Sequence, residues 1–396
     1  MYECYLHCYT RCEQQKSDTP RFLVTLDVGI GDAIVVGLSA IDQIVANDPL
    51  ASGTIDILCN ALQAQIFACD PRINRIIETN KVFFPGANIT QWLRGIALDP
   101  AAARIIDFLK QRSYEAVLPS IVAPGLYSRL HSHIMYPSII NIAEDFLAFC
   151  RQQDFHLSTI ARDMVDHYFG KAMAPLNQVK DIPLYISSQH VKLAISTLEA
   201  LKAEAKVTQQ NTKLLIVAPD TASTVTRPPT DLLIAGIYRI LAVHPHLMVY
   251  ILPSYTATGC SLQLLKALSK DYPQRIFLMP AEPKAHLLEM AALIDQSDVF
   301  LSGDTGVMHL AAAYKKLNEG DDISFAPRNS AKIVALFGGT NPGYYGYSRR
   351  TTILGRGRRE QTALRPGFFK EAYKLKGRNL FDHITSKQIL DAVLDQ

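Results

Sequence analysis

Asp298–Ala313 reads DVFLSGDTGVMHLAAA. The first residues form a short apolar run, the turn Gly303-Asp304-Thr305-Gly306 interrupts it, and an amphipathic helical pattern starts at once. A continuous apolar strand running straight into a helix marks a parallel sheet covered on both faces, since a half-exposed antiparallel strand would alternate. The turn also carries chemistry. The amides of Thr305, Gly306 and Val307 stand ahead of the first helical hydrogen bond and converge on one spot outside the sheet, an arrangement that holds a phosphate. His309, one turn further in, can donate to a phosphate oxygen, and Asp304 or Thr305 can cap the helix. A plain cap with a core histidine accounts for the same residues equally well.

The alternation extends in both directions from this stretch. In the second half, Lys213–Ala218, Leu247–Leu252, Arg275–Leu278 and Ile333–Phe337 read as strands, with helices Asp231–Val243, Ser261–Ser269 and Ala285–Ile294 between them. A charged helix, Val191–Ala205, precedes them, and a polar insertion, Lys315–Lys332, separates the DTG helix from the following strand. In the first half, Arg21–Asp27 (RFLVTLD), Thr54–Cys59, Arg75–Glu78 and Ala116–Pro119 are strands, interleaved with helices Ala33–Val45, Ala61–Cys69 and Ala101–Lys110. The class is α/β. The pattern predicts a tail over 1–20, a Rossmann-like domain over 21–180 and a second over 181–396, with the loop formers Met173–Pro183 as linker. Ligands of such sheets bind beyond the carboxyl ends of the strands, and a cleft between two such domains is the expected site.

Two further loops lie at strand ends. Gly29-Ile30-Gly31-Asp32 joins the first strand to the first helix, where glycines allow close backbone approach and the helix start favours an anion. A dinucleotide fingerprint would want a glycine at position 34 and an acid closing the second strand. Position 34 is Ile, and the strand closes on Leu58-Cys59-Asn60, which argues against NAD or FAD. Asp32 serves equally as a charge for the helix dipole. After Lys213–Ala218 comes Pro219–Pro228 (PDTASTVTRP), where the hydroxyl of Thr224 and the fork of Arg227 suit an anionic ligand. A solvated loop is the competing account.

Composition narrows the field. The 396 residues are 48% hydrophobic and 19% charged, and 40 Lys+Arg against 37 Asp+Glu leave a net charge of +3. That is far too small to drive nucleic-acid binding electrostatically. No apolar run approaches the roughly 18–20 residues of a membrane span. Seven scattered cysteines favour a reducing, cytoplasmic compartment over a disulfide framework. Cys4, Cys8 and Cys12 repeat every fourth residue but lack a fourth metal ligand and a familiar metal spacing, and they read as a frayed or packed tail.

Taken together, GIGD after the first strand, SGDTGVMHLAAA in the second half and ALFGGTNP after the next strand resemble the heptosyltransferase-type glycosyltransferases, family 9. The resemblance runs from about Arg21 onward, and DTGxxHLAAA is its specific element. It implies the GT-B fold of two Rossmann-like domains and inverting, metal-independent transfer without a cofactor. It also implies a nucleoside-diphosphate sugar as donor, heptose-like and ADP-linked, with a glycan or other hydroxyl compound as acceptor. Lipopolysaccharide biosynthesis is the implied setting, with peripheral contact to a membrane. By the same resemblance Asp32 is the general base beside Gly29 and Gly31. The amides around Thr305 and Gly306 hold the donor diphosphate, and the chemistry of Asp304, Val307, His309, Thr224 and Arg227 adds them to the donor side, Arg227 before Pro228 standing where the family usually carries a Lys before an aromatic and Pro. Three departures stand out. No acid occupies Pro253–Cys260, where the donor ribose is expected to be held. Lys315–Lys332 replaces a short turn, and Arg365–Phe369 stands where many members carry Cys. Two rival activities fit the same fold, a nucleotide-sugar epimerase or hydrolase and a non-catalytic nucleotide-sugar-binding protein.

Overall fold

The computed structural model describes residues 20–26, 29–78, 107–118, 138–139, 156–172, 181–205, 212–221, 226–254, 259–280, 286–347, 349–355 and 380–395. Thr224, the three N-terminal cysteines, most of the 173–183 linker and Arg365–Phe369 lie outside them. By contact density the chain divides into two units, Met1–Ala148 with Ser158–Tyr185, and Phe149–Leu157 with Ile186–Gln396.

In the first unit, β1 (Phe22–Thr25), β2 (Ile55–Cys59), β3 (Ile73–Glu78), β4 (Ala116–Leu118) and β5 (Ser138–Ile139) form one parallel sheet in the order β3-β2-β1-β4-β5. The chain builds outward from β1 to β3 and then returns to the other side of β1. The switch point of this sheet is therefore between β1 and β4. β1 is buried along its whole length, as its unbroken apolar run predicts.

The first helix, α1 (Ile30–Asn47), is continuous over 18 residues and contains a π-helical stretch, Ala33–Leu38, every residue of which is buried. By length and composition α1 is apolar enough to cross a membrane, which the sequence reading missed because Gly31, Asp32, Ser39 and Asp42 break up its apolar run. Here 61% of it is buried inside the protein, the state of a core helix. Polar anchors fix it. Asp42 accepts from Arg72 (3.1 Å) and from Arg162 (2.9 Å), while Asp166 accepts from Gln43 (2.6 Å) and Asn47 (2.7 Å). Arg162 and Asp166 belong to α3 (Leu157–Tyr168), which follows α2 (Ala61–Phe67) in chain order. α1 is thereby tied to its own unit by charge as well as by packing. β6 (Pro183–Tyr185) closes the unit's described chain.

In the second unit a six-stranded parallel sheet runs β13-β12-β10-β7-β8-β9. Its members are β7 (Lys213–Ala218), β8 (Leu247–Ile251), β9 (Ile276–Leu278), β10 (Val299–Gly303), β12 (Lys332–Phe337) and β13 (Thr351–Gly355). Helices α4 (Ser188–Glu204), α5 (Thr230–Val243), α6 (Ser261–Leu268), α7 (Leu287–Asp295), α8 (Gly306–Ala312), α9 (Pro342–Tyr345) and α10 (Ser386–Leu394) complete the described unit. One core joins α5, α6 and α10 to the sheet through Leu233, Ile237, Ile240, Leu264, Val249 and Ile389. The chain builds β7-β8-β9 and then returns to place β10 on the other side of β7. The switch point lies between β7 and β10, whose carboxyl ends lead into the two loops singled out in the sequence.

The 315–332 insertion is built into this unit. Its start lies in β11 (Tyr314–Lys316), and Lys315 is only 1% exposed, with Nζ donating to the Ala311 carbonyl at 2.6 Å. Asn329 accepts from the Lys315 amide (2.8 Å) and donates to its carbonyl (2.9 Å), and Asp295 at the end of α7 accepts from the amides of Arg328 and Asn329. The polar side chains that make this segment look like a solvated loop are largely spent on local backbone.

Candidate functional site

At the end of β10 the chain enters the turn through Gly303. A Cβ there would stand 2.6 Å from the Thr226 carbonyl and 2.7 Å from Pro228 Cδ, so only glycine lets the loop after β7 lie against the end of β10. Two loops from neighbouring strands are thus brought to one place at the switch point, where doubly wound sheets bind ligands. Thr305 is the N-cap of α8, with extended backbone (φ −149°, ψ 159°), and its side chain makes no cap hydrogen bond. This corrects the expectation that Asp304 or Thr305 caps the helix through a side chain. The first hydrogen bonds of α8 are given by Met308 (2.9 Å) and His309 (3.3 Å) to the Thr305 carbonyl. The amides of Gly306 and Val307 therefore precede the ladder, as donors at a helix start do.

Asp304 turns inward instead. Its Oδ1 lies 3.6 Å from His309 Nε2, and its side chain is mostly buried. His309 is 3% exposed, and its Nδ1 is 2.9 Å from the Tyr347 hydroxyl. Tyr347 comes from the segment after α9 and packs edge-on to the imidazole, with ring centroids 5.7 Å apart and planes at 70°. The Tyr347 ring also meets His156, centroids 4.9 Å apart. Burial, with Asp304 adding a negative charge nearby, pushes the Tyr347 phenol well above its ordinary range, so it stays protonated. Neither Tyr347 nor His156 was legible as a site residue. Tyr347 lies 38 residues from His309 in an irregular stretch, and the only local signals were turn formers, Asn341 accepting from the Gly343 amide at 2.8 Å.

The loop after β7 is organised by an ion pair. Arg227 Nε sits 2.6 Å from Asp220 Oδ1, and its Nη2 donates to the Thr221 carbonyl at 2.9 Å. Thr226 donates to the Thr221 hydroxyl at 3.0 Å. Sequence reasoning placed Arg227 on a phosphate. In the structure two of its nitrogens hold the loop closed, and Asp220 supplies the countercharge that the sequence reading overlooked. Asp220 also approaches the loop after β8, since a Cβ on Gly259 would lie 2.7 Å from its Oδ2.

In the first unit, Gly29 is the extended N-cap of α1, and Ala33 donates to its carbonyl at 3.1 Å. Asp32 lies in the first turn, partly exposed, and a Cβ on Gly29 would be 3.9 Å from its Oδ2. Gly31 lies between them at the carboxyl side of β1, beside the sheet's switch point. The π-helical stretch begins with the very next residue, Ala33. Such segments are rare and often sit at functional sites.

Two parallel, doubly wound units with loops at both switch points define a GT-B-type fold. The chain is similar to the E. coli ADP-heptose lipopolysaccharide heptosyltransferase II, with 14% identity over 94% of this chain and 97% of that one and a TM-score of 0.62. It is also similar to a family 9 glycosyltransferase from Veillonella parvula (15% identity, 96% and 98% covered, TM-score 0.60). A third similar structure is the E. coli heptosyltransferase WaaC with ADP (17% identity, 89% and 99% covered, TM-score 0.56). Residues 280–367, which contain the DTG turn and Tyr347, match the family model described as glycosyltransferase family 9 (heptosyltransferase). The family resemblance read from the motifs therefore stands. No curated protein sequence matches the chain.

Proposed function

We propose that the protein is an inverting glycosyltransferase that moves a heptose-like sugar from a nucleoside-diphosphate donor, ADP-linked, to a hydroxyl of a glycan acceptor. The observation that carries this reading is the turn at the β7–β10 switch point. Open amides at the start of α8, the Asp304–His309 pair and the loop closed by Arg227 meet at the carboxyl edge of one sheet. The leaving group of such a transfer is a diphosphate, whose growing charge is best met by preorganised donors. Thr305, Gly306, Val307 and His309 supply them, with Thr224 as a further hydroxyl. Support for ADP comes from two similar structures, E. coli WaaC with ADP and with ADP-2-deoxy-2-fluoro heptose. In the first unit Asp32 takes the proton of the attacking hydroxyl, which becomes a better nucleophile as the bond to the anomeric carbon forms.

Transfer by this route needs neither a metal ion nor a cofactor, because fixed amides and imidazole take the place of a cation at the diphosphate. The setting we infer is the cytoplasm, with an acceptor such as a lipopolysaccharide precursor reached by peripheral contact with a membrane. A thermal-shift panel of nucleoside diphosphates tests the donor half. ADP at 100 times its Kd should stabilise the protein by about 2.7 kcal/mol. No shift with any nucleoside diphosphate would overturn it. Product analysis with and without a glycan acceptor separates transfer from epimerisation, hydrolysis and plain binding. Activity abolished by EDTA and restored by Mg²⁺ would refute the metal-free route.

A further inference from the structure

The candidate donor site contains a side chain that nothing in its motif calls for. Tyr347 reaches His309 from outside the DTG turn, and its surroundings hold it still. Gly346 leaves no room for any other residue, since a Cβ there would lie 2.5 Å from both Ile353 Cδ1 and the Pro342 carbonyl. Gly338, at the start of the same segment, packs beneath the Phe381 ring, where a Cβ would stand 2.3 Å from its edge. The ring of Tyr347 contacts two imidazoles, those of His309 and His156, and only 7% of the residue is exposed.

We infer that Tyr347 is the positioning residue that fixes His309 as the Nε2–H tautomer and aims that N–H toward Asp304 and the turn. Two contacts select this tautomer independently. A buried phenol must donate its O–H, and His309 Nδ1 at 2.9 Å accepts it only when that nitrogen carries no proton. On the opposite edge, the Asp304 carboxylate at 3.6 Å from Nε2 favours a proton there and disfavours a bare lone pair. The ring is held at both nitrogens in the way an orienting partner fixes a catalytic or ligating histidine. The imidazole therefore meets an incoming phosphate with a donor already in place, exchanging Asp304 for a phosphate oxygen. Without the phenol, the hydrogen bond that selects the bare Nδ1 is gone, and the proton can move to Nδ1 or the ring can rotate.

The inference rests on the donor reading for its purpose, but its geometry can be tested without it. Long-range ¹H–¹⁵N spectra of the full chain, with His309 assigned by its absence in His309→Gln, should show the Nε2–H pattern in the wild-type protein. Tyr347→Phe keeps the ring and removes only the hydroxyl. In that variant the His309 signals should move to a mixture of tautomers, and ADP affinity should fall about 2- to 12-fold, the worth of one neutral hydrogen bond. A wild-type His309 protonated at Nδ1 overturns the inference, even where the Phe variant fails to fold. An unchanged spectrum in a folded Phe variant overturns it as well. The two readings fail separately. If ADP does not bind the wild-type protein, the donor reading falls while the tautomer result stands. If ADP binds and Tyr347→Phe leaves the tautomer intact, only the role of Tyr347 falls.

Discussion

Each unit places a glycine turn and a helix start at its switch point, yet the two turns are held very differently. In the second unit Gly303 is pressed against the Thr226 carbonyl, Asp304 and Tyr347 grip both edges of His309, and Arg227 closes the neighbouring loop on Asp220. In the first unit Gly29 is exposed, and the backbone changes to π-helical geometry right after Asp32. The contrast matches the chemistry proposed for each. A diphosphate is a small, fixed, highly charged group, and binding it repays a rigid set of donors. A base has to accommodate an acceptor of varied shape, and needs one carboxylate at the edge more than a cage.

The largest effect should come from the first unit's turn. Asp32→Asn removes the proposed base and should lower transfer by about 10²- to 10⁴-fold while ADP affinity stays within about twofold. Steady-state rates and calorimetric ADP titration together check it. A turnover near wild type would break the comparison, leaving the first turn with no chemical task. The braced turn should respond in stability as well as binding. Gly303→Val drives a side chain into the Thr226 carbonyl and Pro228, and should cost about 2–3 kcal/mol in denaturant unfolding and weaken ADP together with it. A variant as stable as wild type would show that the two loops can part freely.

A third test reads the far end of α8. Burial lowers the Lys315 amine to about 7, with Arg350 also lowering it and Asp295 opposing. The unfolded chain, with an ordinary lysine near 10.4, then binds more protons than the folded one between about pH 7 and 10. Stability should rise with pH across that window, by at most about 1.4 kcal/mol per unit, and the full cost of burying the charge is present below it. Lys315→Met should flatten that slope in urea unfolding at pH 7, 8 and 9; an unchanged slope would acquit Lys315. The smallest effect belongs to the π-helical stretch. Gly37→Ala brings a Cβ to 3.2 Å from Leu26 and 3.4 Å from Phe67, and should cost about 1 kcal/mol or less without touching ADP affinity.

Strands and helices were largely legible because their apolar runs are long and uninterrupted. β7, for one, falls on Lys213–Ala218 as read from the sequence. The two glycine turns were legible for the same reason, each being the break between a buried strand and a helix. β13 was not, since Thr351–Gly355 is only partly buried and lacks a strong apolar signal. α10 was missed although its start carries a readable capping box, Thr385 and Gln388. What the sequence hides is pairing at a distance. Asp220 pairs with Arg227 across the loop, and Tyr347 joins His309 only because the segment after α9 folds back. Neither pairing leaves a periodic trace.

The position of α10 has a consequence for how the protein is made. Arg239 on α5 donates to Ser386, 147 residues further along the chain, and Gly236 on α5 is packed directly beneath Ile389. A ribosome adding about 5–20 residues per second needs roughly 7–30 s to go from one to the other. Throughout that interval the sheet can assemble around β7, but the face of α5 that Ile389 covers stays bare and greasy. The newborn second unit thus passes through a timed window in which a chaperone, or another unfinished copy, can reach that face before α10 does.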